Sequence, residues 1–262
     1  MQIIRKSLIF IIIAVWLTAL LASVCYSKDS SSKAKSILEK TFKKYDALFS
    51  EELKGVNSAI VKMSIKGEGR LNSKSTTSPP LLLDAKIDLY VVQPNKMFLD
   101  VTGNLGNIQI VIPGKMPMTA TTILPVTKQF ATMAIPQKTF RGLQPKDRER
   151  FWVETNVTYG GMQTMNQRQV HKIIMKPTNP KQKGTTVVYI LDKIWDPIRY
   201  EIIDPVGGNT VVDFEEIRFN VKIPPDKFEP KTSGYTQVTK EQFTGLVMMQ
   251  MMTLTMQNNQ MR

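Results

Sequence analysis

Residues 83–92 read Leu83-Asp84-Ala85-Lys86-Ile87-Asp88-Leu89-Tyr90-Val91-Val92. Leu83, Ala85, Ile87, Leu89 and Val91 alternate with Asp84, Lys86, Asp88 and Tyr90. That period of two gives an extended strand one apolar and one polar face. Pro94-Asn95 closes it. The same period continues on both sides. Upstream, Ala59, Val61, Met63 and Ile65 alternate with Ile60, Lys62, Ser64 and Lys66, and a loop of Ser, Thr and Pro (Ser73 to Pro80) separates the two strands. Downstream, Met97, Leu99 and Val101 form a third strand. Ile108, Ile110 and Ile112 form a fourth, stopped by Pro113-Gly114.

Further strands follow at Thr119 to Leu124, Thr127 to Met133, Phe151 to Tyr159, Gln169 to Met175 and Thr185 to Leu191. Three more are Ile198 to Ile203, Thr210 to Phe214 and Arg218 to Val221, with turn residues between them. Arg141 to Arg150 reads as a short helix leading into Trp152. About a dozen strands joined by short turns argue for one antiparallel meander, not βαβ units. Half-polar strands leave one face wet and pack the other. One amphipathic helix precedes them over residues 33–54, where Ala34, Ile37, Leu38, Phe42, Tyr45, Leu48, Phe49 and Leu53 recur at spacings of three and four. A single helix cannot cover so wide a sheet. The sheet therefore curls around an apolar interior that side chains or a ligand must fill.

The start of the chain reads as an export signal: Arg5 and Lys6, then a mostly apolar run from Leu8 to Val24, then polar residues from Ser27 to Ser32. Residues 1–27 are read as a signal peptide cut after Ser27. A cut after Cys25, an uncleaved anchor and a lipidated Cys25 are the alternatives, and each puts the rest of the chain outside the cytoplasm. Cys25 is the sole cysteine, so a domain starting at residue 28 has no disulfide framework and no thiolate metal site. The net charge is +13, and without Arg5 and Lys6 about +11. That balance suits an anionic membrane surface or an acidic protein partner; nucleic acid is excluded by export. The basic residues are dispersed, and a merely solvated surface explains them as well.

Residues 239–262 form a separate tail. Thr239-Lys240-Glu241-Gln242 resembles a capping box, and six of the 15 methionines lie beyond Val247. A methionine-rich helix adapts to partners of variable shape. Lipid, an open cavity mouth or a partner protein would suit it; packing on the outer sheet face or a frayed tail explains it as well.

Little in the sequence points to catalysis. His171 is the sole histidine and is placed on the polar face of a strand, in a structural or surface role; one histidine also excludes a histidine-built zinc site. No nucleophile elbow, P-loop or dinucleotide fingerprint occurs. Gly67, Gly69, Gly207 and Gly208 read as bends or turns. Asp84 and Asp88 read as solvated strand residues, Asp192 as a turn former, and Trp152 and Trp195 as core or turn anchors. The chain is therefore read as a non-enzyme with no cofactor and no metal.

Residues 191–230 include Leu191-Asp192-Lys193-Ile194-Trp195-Asp196-Pro197, Asp204-Pro205-Val206-Gly207-Gly208-Asn209, Val212-Asp213-Phe214 and Ile223-Pro224-Pro225-Asp226-Lys227-Phe228-Glu229-Pro230. This stretch resembles the C-terminal half of the periplasmic outer-membrane lipoprotein carriers and lipoprotein-sorting proteins (LolA/LolB-like). The leading helix, Gly67 and Gly69, Gln93-Pro94-Asn95 before Met97-Phe98, and Gly114-Lys115 agree in outline. The resemblance implies a mainly β (α+β) fold, a half-open antiparallel β-barrel of about 11 strands with a helical lid over residues 28–238. It also implies a periplasmic carrier of acyl chains of lipoproteins or lipids, served by an inner-membrane release complex and an outer-membrane acceptor.

The apolar cavity would be lined by Ile87, Leu89, Met97, Leu99, Ile110 and Ile112, and lidded by Ile37, Phe42, Leu48 or Phe49. The family typically has arginine immediately before Pro-Asn, where it helps latch the lid. Gln93 stands there instead and carries no charge. Two other roles suit the same fold: a sensor of envelope stress acting through a protein partner, and a membrane-tethered lipid-binding interaction module.

Overall fold

The computed structural model describes residues 32–46, 56–69, 81–104, 106–135, 145–180, 182, 184–205, 208–247, 249 and 253. The segment expected to be an export signal, with Cys25, the 73–80 loop, Leu48, Phe49 and most of the methionine-rich end lie outside the described residues. Among the described residues, no helix is long and apolar enough to cross a membrane. The twelve strands make a mostly antiparallel sheet that does not close on itself. The described chain divides into two compact units. One holds residues up to Lys40 together with 145–205, and the other holds 41–135 together with the residues from 208 onward.

The chain enters through α1 (Ser32–Asp46). Ala34, Ile37, Leu38, Thr41, Phe42 and Tyr45 are its buried residues, one stripe at spacings of three and four. Thr41 completes a stripe that the apolar pattern alone left open.

In the larger unit the strand order is β12-β6-β5-β4-β3-β2-β1-β11. β1 (Ser58–Gly69) and β2 (Leu81–Val92) pair along their whole length, from Ser58 opposite Val92 to Gly69 opposite Leu81. β3 (Lys96–Gly103), β4 (Ile108–Pro113), β5 (Thr119–Leu124) and β6 (Gln129–Ala134) continue the meander. On the other side of β1 lies β11 (Gly208–Phe219), one long strand where the sequence reads as two. Lys62 faces Glu216 but Met63 faces Phe214, so Glu215 is an extra residue. Such a bulge flips the alternation midway and hides the continuity of the strand.

Gly67 is no bend. A Cβ there would come within 2.6 Å of Thr210 Cα, so glycine is what lets the β11 backbone close on β1. The last strand, β12 (Thr236–Gln237), departs from the expected meander by pairing parallel with β6.

The smaller unit has the order β10-β9-β8-β7. Its helix α2 (Pro145–Glu154) includes Phe151 and Trp152, which corrects the strand expected from Phe151 onward. β7 runs from Thr155 to Met165, past the expected end at Tyr159. Tyr159 faces Ile173 while Met162 faces His171, so the Gly160-Gly161 pair carries a bulge, with Gly161 at φ +94. The bulge lets the strand pass through the two glycines. β8 (Arg168–Pro177), β9 (Thr185–Leu191) and β10 (Pro197–Asp204) follow.

One wet face per strand holds only partly. In the larger unit Ile60, Phe98, Val111 and Ile123 form a second buried cluster with Ile223 and Phe228, on the sheet face opposite Leu89 and Leu99. The segment after β11, with its 3-10 turn Pro225–Phe228, covers that face.

The capping box at the start of the tail is formed. Thr239 N–H donates to Gln242 Oε1 at 2.9 Å, and Gln242 N–H donates to Thr239 Oγ1 at 3.2 Å. The helix it starts covers 240–247 and buries Phe243 and Val247, one turn apart, while Met249 is exposed.

Candidate functional site

Strand register decides which side chains share a face. Leu89 faces Leu99 and Leu99 faces Ile110; Ile87 faces Val101, and Met97 faces Ile112. Ile87, Leu89, Met97, Leu99, Ile110 and Ile112 therefore lie on one face of β2, β3 and β4. Val61 and Met63 extend that face across β1. All six are between 2% and 6% exposed. Phe42, in the same unit, is buried, and so is Ile37 in the smaller unit. At the near end of β2, the Gln93 backbone N–H donates to the Asn57 carbonyl at 2.9 Å, and Gln93 sits in the β2–β3 turn.

The opposite face carries charge beside its apolar cluster. Lys62 pairs with Glu216 at 3.0 Å, and Asp88 stands directly across from Asp100. Lys227 Nζ lies 4.6 Å and 4.4 Å from the Tyr90 and Phe98 ring centres. Burial pushes the Asp100 carboxyl above its ordinary value, with Asp88 adding to the shift; a Gln109 hydrogen bond and Lys227 pull against it.

A carboxyl raised on folding contributes stability that is present below its unfolded pKa and is lost as pH rises through the folded value. Asp100→Asn is therefore expected to match the native protein at about pH 3 and exceed it at about pH 7 in urea unfolding. Equal stability at both pH values would refute the assignment.

In α1, lysines lie over aromatic rings. In the smaller unit, Lys33 Nζ is 4.4 Å from the Tyr159 ring centre, Lys35 is 5.1 Å from Trp152 and Lys40 is 4.2 Å from Trp195. In the larger unit, Lys44 is 5.2 Å from Phe219, which also meets Tyr45 edge-on at 5.7 Å. Each such contact is worth about 0.5–1 kcal/mol when exposed. They add up to a seat for the helix without the directional demands of buried ion pairs.

His171 corrects its expected placement on a polar strand face: it is 4% exposed. Its face of β8 is shared with Ile173, across from Ile190 and Val188 of β9, all fully buried. Nδ1 lies 3.0 Å from Tyr159 Oη and Nε2 lies 3.0 Å from Asp192 Oδ1. The Trp195 ring stacks nearly parallel to the imidazole, at 5.9 Å and 6°. The sequence gives no hint of this cluster, because its members come from β7, β8 and the β9–β10 turn. Trp195 does anchor that turn: its N–H donates to the Leu191 carbonyl at 3.1 Å with φ +63.

No family model matches the chain, and no curated protein matches it. Solved structures do. An uncharacterized conserved protein from Thermus thermophilus aligns over 80% of this chain and 100% of its own, at 12% identity and TM-score 0.47. The Mycobacterium tuberculosis lipoprotein LppX aligns over 75% and 100%, at 14% identity and TM-score 0.46. A putative outer membrane lipoprotein-sorting protein domain from Vibrio parahaemolyticus aligns over 75% and 96%, at 14% identity and TM-score 0.29. The chain itself has a mostly antiparallel sheet left open and a helix ahead of it.

Proposed function

We propose that the chain is a non-enzymatic periplasmic carrier, which holds the acyl chains of lipoproteins or lipids against the apolar face of β1 to β4. In this reading α1 is the cover, and cargo passes from an inner-membrane release complex to an outer-membrane acceptor. One observation carries the proposal: Ile87, Leu89, Met97, Leu99, Ile110 and Ile112 share one face and are all buried. Each acyl CH₂ transferred to such a face gains about 0.8 kcal/mol, so affinity requires only a dry surface and no bond chemistry. In this reading cargo enters only when α1 moves.

The test adds the exported protein to spheroplasts and measures soluble lipoprotein complex, with native mass spectrometry of the recovered protein. Bound diacyl or triacyl species support the carrier. The absence of both release and bound lipid would rule it out.

A further inference from the structure

We propose that His171 is a proton-operated latch on the first half of α1, closed when its imidazole is neutral and loosened when it is protonated. The inference rests on α1 being the cover proposed above.

The closed state follows from donor and acceptor counting. The Asp192 carboxylate accepts only, so at 3.0 Å His171 Nε2 carries the proton. Nδ1 then holds a lone pair, and Tyr159 O–H donates to it across 3.0 Å. In this tautomer all three groups are satisfied, and the imidazole is fixed parallel to Trp195. Tyr159 and Trp195 are also the two rings under Lys33 and Lys40. Those lysines are seven residues apart, two turns of helix on the same side. The histidine therefore fixes both rings on which this part of α1 sits.

Protonation strengthens the Asp192 contact, which becomes an ion pair, but works against the Tyr159 bond and the lysine contacts. Nδ1 becomes a donor, so the Tyr159 hydroxyl must turn from donor to acceptor and swing its hydrogen elsewhere. An imidazolium and the Lys40 ammonium then both face the Trp195 ring. Among the described residues, the charged groups on the imidazole and on the two rings it touches are Asp192 from the turn and Lys33 and Lys40 from α1. The same turn also carries Lys193 and Asp196, of opposite sign. β7 and β9 place Tyr159, Met162 and Ile190 beside the ring. Asp192, Lys33 and Lys40 sum to one positive charge with neutral histidine and to two with the imidazolium. Repulsion therefore falls on the lysines that hold the helix. His171 is the only histidine in the chain, so a response of histidine origin comes from this site alone.

Hydrogen–deuterium exchange on the full chain, corrected for intrinsic rate, tests this without lipid. Between about pH 7.5 and about pH 5.5, protection of the 33–40 amides is expected to fall about tenfold in the native protein. His171→Gln, which cannot take up the proton, is expected to show no such fall. Unchanged native protection, or a variant that follows the native protein, would overturn the latch. Should the variant fail to fold, NMR of the native chain decides. The neutral ring must be the Nε2–H tautomer, and its titration must share one midpoint with the 33–40 amides. An Nδ1–H tautomer or separate midpoints would overturn the proposal. A helix that loosens with acid in a protein that never binds lipid would leave the latch standing and remove the carrier.

Discussion

Phe228→Ala is expected to destabilise the protein by about 3–5 kcal/mol, the range for removing a buried aromatic ring. The urea midpoint should drop at unchanged slope. Phe228 is 3% exposed and packs in one cluster with Ile60, Phe98, Val111, Ile123 and Ile223. Lys227 beside it lies over both Tyr90 and Phe98, two rings on the same sheet face. Lys231, in a 3.8 Å exposed pair with Asp226, is the control; its alanine variant should stay within about 0.5 kcal/mol of the native protein. A loss below about 1 kcal/mol at Phe228 would mean that the 221–235 segment is not part of the cooperative fold.

That segment also shows what the sequence discloses. Ile223-Pro224-Pro225-Asp226-Lys227-Phe228 stands out as a motif, yet its partners come from β1, β3, β4 and β5, all more than a hundred residues before Phe228, and only folding brings them together. Where strands alternate without interruption, as from Leu83 to Val91, period two is enough, and the six candidate cavity residues do share a face. Where a bulge adds a residue, at Glu215 or Gly160-Gly161, the period reverses and one strand reads as two or as ending early. The α1 stripe is legible for the same reason as β2: one uninterrupted period. The His171 cluster is illegible for the opposite reason. A histidine between Val170 and Lys172 has no periodic signature that separates a buried network from a surface position, and its partners Tyr159 and Asp192 lie on other elements.

Leu99→Ala addresses the carrier reading directly. Leu99 sits between Leu89 and Ile110 in the register and is 4% exposed, so in lipid-free protein its truncation should cost about 2–5 kcal/mol. Lipid at about a hundred times its dissociation constant should stabilise the native protein by about 2.7 kcal/mol, read as a rise in melting temperature. If acyl chains lie on this face, they can occupy the volume that Leu99 vacates. The lipid increment in Leu99→Ala should then equal or exceed the native one. Phe228→Ala, equally buried on the opposite face, should keep the native increment and gain nothing beyond it. A lipid effect that shrinks in Phe228→Ala and stays constant in Leu99→Ala would move the binding surface to the other side of the sheet. No lipid effect in any of the three proteins would leave the fold intact and remove the carrier, because a face with affinity for acyl chains must show it as stability.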